Sequence, residues 1–418
     1  MGQTIAQKIL AKKSGRESVE VGEIVEVRPD HVLSHDNTAA ISKKFAQLPI
    51  ERVLDPEQPV IILDHTVPPS TAAYANNHKL IREFVQKNGI KHFYDVGRGI
   101  CHQVLVEEGF AYPGALILGA DSHTTTYGAL GAASAGIGRS EVAAIWATGK
   151  MWLRVPESML IKIYGDFPFG TTSKDLILKI IGDIGADGAL YRSVEFAGEG
   201  IRNMSVASRM VLANMSVEMG AKFGIVHPDE KVDEFLSDKT QIKYEHILPD
   251  PDAQYVEVLN YNLDELEPMV AMPHTVDNVA PVADVVGTKV NQVFFGSCTN
   301  GRVEDFHMAA SIIAGRRIAN GVRMLAFPAS SKVLSEIIAD GTAKKLVDAG
   351  VILMNPGCGP CLGAHEGVLA DGEICISTAN RNFKGRMGNP NAFIYLASPY
   401  TAAAAAVAGE IVDPRELL

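Results

Sequence analysis

The stretch VILMNPGCGPCLG at 351–363 decides the fold class. Its apolar start, VILM, runs directly into a glycine–cysteine turn, and NQVFFGSC at 291–298 repeats this arrangement. Such short apolar runs predict strands, and in a parallel α/β sheet ligands bind at the carboxyl ends of the strands. The two stretches therefore predict an α/β fold with a ligand site close to Cys298, Cys358 and Cys361.

The rest of the chain also alternates strand-like and helix-like segments. Short β-branched runs alternate with helical segments up to about residue 157, as in VIILDH at 60–65, HFYDVG at 92–97 and ALILGADSH at 115–123. A second stretch begins near Pro156 with the strand-like SMLIKIYGDFP and the helix-like TSKDLILKIIGDIG. The proline-punctuated sequence at 270–285 is predicted to be an extended linker. We therefore predict three α/β domains, at 1–157, 158–278 and 279–418.

Composition places the chain among globular enzymes. It has 418 residues, which is too long for one ordinary core. Of these residues, 47% are hydrophobic and 21% are charged, the balance of a globular protein. The formal charge of −11 and the lack of a basic run argue against a nucleic-acid partner. No apolar run approaches the ~20 residues that span a bilayer, and the N-terminal segment lacks the apolar core of a secretory signal. We therefore expect a cytoplasmic protein without a membrane partner.

The five cysteines are too few for a disulfide scaffold, which leaves metal binding or burial. Cys358 and Cys361 form a CxxC turn, a spacing that zinc and thioredoxin-like redox sites share. A zinc ribbon needs a second CxxC, and this sequence has none. A redox CxxC normally lies at the start of its domain, whereas this one lies near the end of the 418 residues. With Cys298, the pair suits a 4Fe-4S cluster that has one iron without a protein ligand. Cys375 is predicted to be a small buried hydrophobic residue in a strand. Cys101 adjoins His102 and could be a ligand, but burial as a packing residue is the favoured interpretation.

Six motifs in a fixed order resemble the aconitase superfamily. They carry the resemblance almost from end to end: ILDH at 62–65, GICHQ at 99–103, GADSHTTTYGALG at 119–131, GSCTNGRVED at 296–305, NPGCGPCLG at 355–363 and STANRNFKGRMG at 377–388. The similarity is greatest to the branch of two-subunit enzymes that comprises the large subunits of 3-isopropylmalate dehydratase and homoaconitase. It implies a three-domain α/β fold with the iron–sulfur cluster in a central cleft.

The resemblance also implies a role for individual residues. The implied ligands of the cluster are Cys298, Cys358 and Cys361. The implied catalytic residues are the carboxylate–imidazole pairs Asp64 with His65 and Asp121 with His102, together with His123 and Glu218. The implied substrate-binding residues are Ser122, Asn214, Asn380, Arg381 and Arg386. Arginine suits that task because its planar fork pairs bidentately with a carboxylate.

The implied activity is that of a hydro-lyase acting on a small hydroxy-acid with two or three carboxylates. Interconversion of 2- and 3-isopropylmalate in leucine biosynthesis is the first expectation, and homoaconitate and 2,3-dimethylmalate are the alternatives. The discriminating loop of the family lies in a small subunit, which we expect as the partner because it supplies the swivelling fourth domain with the serine base. An iron-responsive RNA-binding protein, the non-enzymatic alternative, is disfavoured by the acidic charge and by the missing fourth domain.

Three further sequence features bear on the site. The segment DNTAA at 36–40 lacks the substrate-contacting glutamine of single-chain aconitases, which disfavours citrate. The glycines at 136 and 138 are followed by Glu141 where a dinucleotide fingerprint needs its third glycine, so we predict tight packing and no nucleotide site. The histidines outside the motifs are predicted to be surface residues, namely His78, His227 and His246.

Overall fold

Parallel strands dominate the protein. The computed structural model describes residues 2–418, whose strands form sheets of five, four and seven strands and a two-stranded ribbon. All strand pairs of the five- and four-stranded sheets are parallel. The apolar runs of the sequence are buried along their whole length, as strands covered by helices on both faces require.

The first region contains the five-stranded sheet, in the order β4-β3-β2-β5-β6, and the antiparallel ribbon of β1 and β7. Its elements are α1 (Ile5–Ser14), β1 (Ile24–Val27), β2 (His31–Ser34), α2 (Thr38–Phe45), β3 (Pro59–Ile62), α3 (Ala72–Asn88), β4 (His92–Tyr94), α4 (Cys101–Glu107), β5 (Leu116–Gly119), a 3-10 helix (Ser122–Leu130), β6 (Ala133–Gly136), α5 (Arg139–Thr148) and β7 (Met151–Arg154). The strand order reverses between β2 and β5, which makes their carboxyl ends the switch point of the sheet.

The second region contains the four-stranded sheet, in the order β10-β9-β8-β11. Its elements are β8 (Ser158–Tyr164), α6 (Ser173–Ile184), β9 (Ser193–Ala197), α7 (Glu199–Asn203), α8 (Val206–Met215), a 3-10 helix (Ser216–Met219), β10 (Phe223–Val226), α9 (Glu230–Leu236), β11 (Glu257–Asn262) and a 3-10 helix (Leu263–Glu265). Thr172 and Asp175 form a capping box at the start of α6, and Gly185 ends the helix, in agreement with the helix predicted there.

The third region contains the seven-stranded sheet, in the order β13-β12-β18-β17-β14-β15-β16. Its elements are β12 (Met269–Ala271), β13 (Val279–Pro281), a 3-10 helix (Val282–Val285), β14 (Gln292–Gly296), α10 (Ser297–Asn300), α11 (Val303–Ile313), β15 (Arg323–Phe327), α12 (Ser331–Ala339), α13 (Thr342–Ala349), β16 (Ile352–Leu353), a 3-10 helix (Gly359–Leu362), β17 (Ile374–Ser377), β18 (Phe393–Ala397), α14 (Pro399–Ala408) and a 3-10 helix (Pro414–Glu416). Here the order reverses between β14 and β17.

The segment predicted as a linker at 270–285 has a different structure. Strands β12 and β13 pair with each other in an antiparallel hairpin, and β12 also pairs with β18 at the edge of the third sheet. The linker interpretation is wrong: Pro281 lies in the edge strand β13, where a missing N–H does no harm, and Pro273 lies in the turn between the two strands. The domain boundaries at 157 and 278 stay a prediction.

The second and third regions share one hydrophobic core, which joins Ile161 and Phe196 to Phe294 and Phe327. Most of the first region packs around a separate core that contains Trp146. Within residues 2–418, none of the helices combines the length and the apolar character that crossing a membrane requires.

Candidate active site

Cys298 lies in a strained turn directly after β14. Gly296 has φ of 123°, and a Cβ added there would lie 2.1 Å from the carbonyl oxygen of Phe327, so only glycine fits. Ser297 also has a positive φ, of 71°, which non-glycine residues seldom adopt. Its hydroxyl lies 2.7 Å from that of Thr299 and so stabilises the turn. The turn starts α10 and leaves Cys298 buried, with 8% of its surface exposed.

Cys358 and Cys361 bracket a single 3-10 turn. The amide of Cys361 donates to the carbonyl of Cys358 at 3.1 Å, and the amide of Cys358 donates to the carbonyl of Asp64 at 3.1 Å. Gly359 between them has φ of 53°, and an added Cβ would lie 2.5 Å from the ring of Phe327. The CxxC loop is therefore held against both the first sheet and β15.

Amide and guanidinium groups point at these sulfur atoms. Asn214 Nδ2 and Asn380 Nδ2 lie 3.2 and 3.4 Å from the Sγ of Cys298, and Arg386 Nη2 lies 3.6 Å from the Sγ of Cys361. Burial raises the pKa of Cys298 to about 12. A buried thiol of this kind becomes a thiolate only beside a positive centre, and N–H donors stabilise sulfur in iron–sulfur sites. The donor set fits a metal cluster.

The remaining two cysteines are buried, as the sequence predicted. Both are free thiols that are fully buried, Cys101 in α4 and Cys375 in β17. The Sγ of Cys375 lies 3.5 Å from the carbonyl of Ile376. Cys101 contributes its backbone amide, which donates to the carboxylate of Asp64 at 2.7 Å.

The first carboxylate–imidazole pair follows β3. Asp64 Oδ1 lies 2.5 Å from His65 Nδ1, and the Sγ of Cys358 lies 3.9 Å from the same nitrogen. The other ring nitrogen, Nε2, lies 3.5 Å from Asp121. Burial disfavours the imidazolium form of His65, but the facing charges of Asp64 and Cys358 outweigh it and raise the pKa of His65 well above its ordinary value. The imidazole is thus placed between two carboxylates and the CxxC loop.

The second pair is centred on Asp121, at the carboxyl end of β5. Its Oδ1 lies 2.9 Å from His102 Nε2 and accepts the backbone amide of His123 at 2.8 Å. Burial would raise the pKa of Asp121, but the hydrogen bonds from His102 and His123 hold it well below the usual range. The other ring nitrogen of His102 lies 3.1 Å from the hydroxyl of Tyr127.

A third pair joins His123 to Glu218, two residues that the sequence analysis treated separately. His123 Nε2 lies 2.7 Å from Glu218 Oε1, and Arg381 Nε lies 2.8 Å from the same oxygen. Burial opposes ionisation of Glu218, yet His123 and Arg381 lower its pKa. The spacing of four residues between Asn214 and Glu218 predicts that both lie on one face of an α-helix. That prediction is wrong, because α8 ends at Met215 and Glu218 lies in the following 3-10 turn.

The structure brings the predicted site residues together. A continuous series of contacts runs from Cys358 through the three carboxylate–imidazole pairs to Arg381. The side chain of Asn380 donates to Asn214 at 3.1 Å, which joins this series to the sulfur ligands. Ser122 follows Asp121 directly and lines a cavity of about 310 Å³. Their roles in catalysis and binding stay predictions.

Sequence reasoning missed a group of residues behind the first pair. His78 was predicted to be a surface residue, but it is 1% exposed, and its Nε2 lies 2.8 Å from Asp36. The ring of His35 stacks on that of His65 with 3.7 Å between centroids. His35 and Asp36 follow β2, so their place at a strand end was the one available signal.

Arg302 was missed as well, although it is buried, with 5% of its surface exposed, where the three regions meet. Its guanidinium donates to the carbonyls of Cys298 at 2.6 Å and Thr299 at 2.5 Å. It also donates to Gln103 on α4 at 3.2 Å and to the carbonyl of Ala207 on α8 at 3.4 Å. One side chain therefore connects the turn of Cys298 to the helix that carries His102.

Comparison with known proteins agrees with this geometry. A model of the aconitase family (aconitate hydratase) matches residues 7–409. The 3-isopropylmalate dehydratase large subunit 1 of Methanopyrus kandleri is 50% identical over 419 residues, which cover the whole of both chains. A probable methanogen homoaconitase large subunit of Methanosarcina mazei is 52% identical over 389 residues, covering 93% of this chain and 99% of its own.

The chain belongs to the aconitase family. It is a hydro-lyase of that family, whose dehydratases use a 4Fe-4S cluster. The crystal structure of Thermococcus kodakaraensis aconitase X in its holo form superposes with a TM-score of 0.50, covering 85% of this chain and 84% of the other at 11% identity. That similarity concerns the fold alone, and the predicted family and α/β fold are confirmed.

Proposed function

We propose that this chain is the large subunit of a 3-isopropylmalate dehydratase, which interconverts 2- and 3-isopropylmalate by dehydration and rehydration. The observation that carries the proposal is the series of contacts between the CxxC loop and three carboxylate–imidazole pairs. The substrate follows from the name of the Methanopyrus kandleri relative, which this chain matches over its full length.

Cys298, Cys358 and Cys361 would hold the 4Fe-4S cluster. When bound, the cluster supplies a Lewis-acidic iron that polarises the substrate hydroxyl. The chain's own contribution is to stabilise the sulfur ligands once they are thiolates: Asn214, Asn380 and Arg386 aim N–H groups at two of the three sulfurs. Burial of Cys298 and Cys361 also excludes water from the ligand bonds.

The imidazoles would move the protons. His65 shares a proton with Asp64 at Nδ1 and directs Nε2 toward the cleft side chain Asp121. From that position it can deliver a proton to a departing hydroxyl, since positioned imidazole is an effective general acid near neutral pH. Asp121 in turn orients His102, which gives a second imidazole in the same network.

Arginine side chains would bind the substrate carboxylates. Arg381 Nε lies 2.8 Å from Glu218 Oε1, and this ion pair fixes the orientation of the guanidinium and of its remaining N–H groups. Arg386 Nε is buried without a hydrogen-bond partner, which leaves a donor for a ligand. A guanidinium fork pairs with a carboxylate through two parallel hydrogen bonds.

A small subunit would complete the enzyme. Both relatives named above are called large subunits and are matched over at least 93% of this chain. The Methanosarcina mazei relative makes homoaconitate the second candidate substrate, and a discriminating loop in the small subunit would choose between them.

The test is an anaerobic reconstitution of this chain with iron, sulfide and a matching small subunit. We expect turnover of isopropylmalate, measured as formation of the unsaturated intermediate, with a kcat/KM at least tenfold above that for homoaconitate. A higher kcat/KM for homoaconitate would assign the second candidate, and full activity without a small subunit would contradict the partner.

Cysteine variants test the cluster ligands separately. Cys298→Ser, Cys358→Ser and Cys361→Ser should each lose the visible chromophore and bound iron. Cys101→Ser and Cys375→Ser are the controls, because both are buried free thiols that are not among the proposed ligands. Bound iron that survives the Cys298 change would refute the three-ligand assignment.

A further inference from the structure

A single partly buried carboxylate, that of Asp36, organises the loop that carries the first carboxylate–imidazole pair. Its Oδ2 accepts the backbone amides of Asp64 at 3.0 Å and His65 at 2.9 Å. Its Oδ1 accepts the amide of Thr66 at 3.2 Å and the hydroxyl of Thr66 at 2.6 Å. His78 Nε2 is the fifth partner, at 2.8 Å from Oδ1.

We infer that Asp36 is a positioning residue, which sets the orientation of Asp64 and His65 by gathering three successive backbone amides on one carboxylate. The expected effect of Asp36 on turnover rests on the proposed function. Its expected effect on the backbone of the loop is independent of any substrate.

The loop needs such an acceptor because β3 ends at Ile62, two residues before the pair. The amides at 64–66 lie beyond the strand ladder, and a buried amide without a hydrogen-bond partner destabilises the folded state. Successive N–H groups that converge on one anion form a compact, rigid turn. The orientation that results directs His65 between Asp64 and Asp121.

The residues around Asp36 hold it in turn. His78 projects from α3 and fixes Oδ1 from behind, with 1% of its surface exposed. His35 precedes Asp36 and stacks on His65, so the same turn after β2 contacts the catalytic ring directly. The switch point of the first sheet is thereby rigid on both sides of the pair.

A metal site is the competing interpretation of this cluster. Four side chains with ligand-type atoms lie within 4.8 Å of one another, namely His35, Asp36, Asp64 and His65. Both oxygens of Asp36, however, already accept hydrogen bonds from five N–H and O–H groups. Donors face this carboxylate where a cation would have to bind, which favours a structural role.

Asp36→Asn is the direct test, because an amide has the same shape but presents an NH₂ group to donors on one side. The matched control is Asp30→Asn. Asp30 lies at the other end of the same strand β2, and it accepts the backbone amide of Leu116 at 2.7 Å and pairs with Lys13. Both variants thus lose a carboxylate that accepts a backbone amide, but only Asp36 contacts residues 64–66.

The first measurement is amide hydrogen exchange of this chain alone, read on peptides that cover 63–67. We expect exchange at 64–66 to become at least tenfold faster in Asp36→Asn and to stay unchanged in Asp30→Asn. Unchanged exchange in Asp36→Asn would overturn the inference, whether or not the proposed substrate is correct. If that variant does not fold, His78→Leu takes its place, with faster exchange at 64–66 expected and unchanged exchange refuting the role.

The second measurement is turnover of the reconstituted enzyme on isopropylmalate. A misoriented acid should lower kcat about 10- to 100-fold with little change in KM, as loss of a supporting hydrogen bond usually does. Bound iron and the cluster spectrum should match the wild type, since no sulfur ligand contacts Asp36. Equal losses of kcat in Asp36→Asn and Asp30→Asn would show a general effect on the fold and contradict positioning.

Discussion

Arg302→Met should destabilise the chain by about 3–5 kcal/mol, because it removes a buried positive charge that favours the carboxylate form of Asp305 and leaves the carbonyls of Cys298 and Thr299 without their donor. Arg302 and Asp305 are both buried and lie in the same turn, where Asp305 accepts the amide of Arg302 at 2.9 Å. Burial raises the pKa of Asp305 to about 6, and the nearby guanidinium opposes that rise. Removing the guanidinium therefore either leaves Asp305 as a buried anion or forces its carboxylate to take up a proton at neutral pH.

Two further variants separate charge from hydrogen bonding. Arg302→Lys keeps the positive charge but cannot reach the carbonyls of Cys298 and Thr299 together with Gln103, so it should cost about 1–3 kcal/mol for acceptors left unpaired. The double variant Arg302→Met with Asp305→Asn removes both charges and should be more stable than Arg302→Met alone.

The assay is urea unfolding of the chain, followed by far-ultraviolet circular dichroism at pH 7.5. Arg317→Met is the control, because Arg317 is exposed and surface substitutions usually stay within about 0.5 kcal/mol. The iron content of the reconstituted variants is measured in parallel, since the carbonyl of the proposed ligand Cys298 loses its donor. A free energy of unfolding for Arg302→Met within 1 kcal/mol of wild type would refute the reasoning.

Three further predictions concern single positions. Arg386→Lys should raise KM for the dicarboxylate by about 10- to 100-fold, because the fork that pairs bidentately is lost, and steady-state kinetics measures this. Gly359→Ala should lower bound iron without unfolding the chain, since its methyl group would lie 2.5 Å from Phe327; unchanged iron would contradict this. Burial raises the pKa of Asp175 from 3.8 to about 6, so the native state holds this proton more tightly than the unfolded chain. The contribution of Asp175 to the free energy of unfolding is therefore present at low pH and is lost as pH rises from about 4 to 6, by up to about 3 kcal/mol. In urea titrations, the difference in unfolding free energy between wild type and Asp175→Asn should fall over that range; a constant difference would contradict the shift.

The strands and the cysteine group could be predicted because both leave a local signal. The apolar runs at 60–65, 115–123 and 291–298 each overlap an observed strand, β3, β5 and β14, and each continues into a site residue. The helix predicted after Pro156 is α6, whose capping residues stand in the sequence next to its apolar periodicity. Signals of this kind depend on neighbouring residues only.

The side chains that hold the site in place could not be predicted, because their partners lie far away along the chain. His123 and Glu218 are 95 residues apart, and neither lies in a segment that indicates the other. Arg302 has the sequence context of an ordinary helix start, and its contacts with Gln103 become visible only when the regions are packed. A histidine on the polar helix α3 is by default exposed, yet His78 turns inward to Asp36.

The two sheets that build the site use the same device. In the first sheet the strand order reverses between β2 and β5, and in the third it reverses between β14 and β17. The loops after β2 and β5 carry Asp36 and Asp121, and those after β14 and β17 carry Cys298 and Asn380. At a reversal, neighbouring loops diverge to opposite faces and open a crevice. In the proposed function, the two crevices would enclose a cluster and a small acid between them, with the carboxylate–imidazole pairs on one wall and the three cysteines on the other, as the contact between Cys358 and His65 supports.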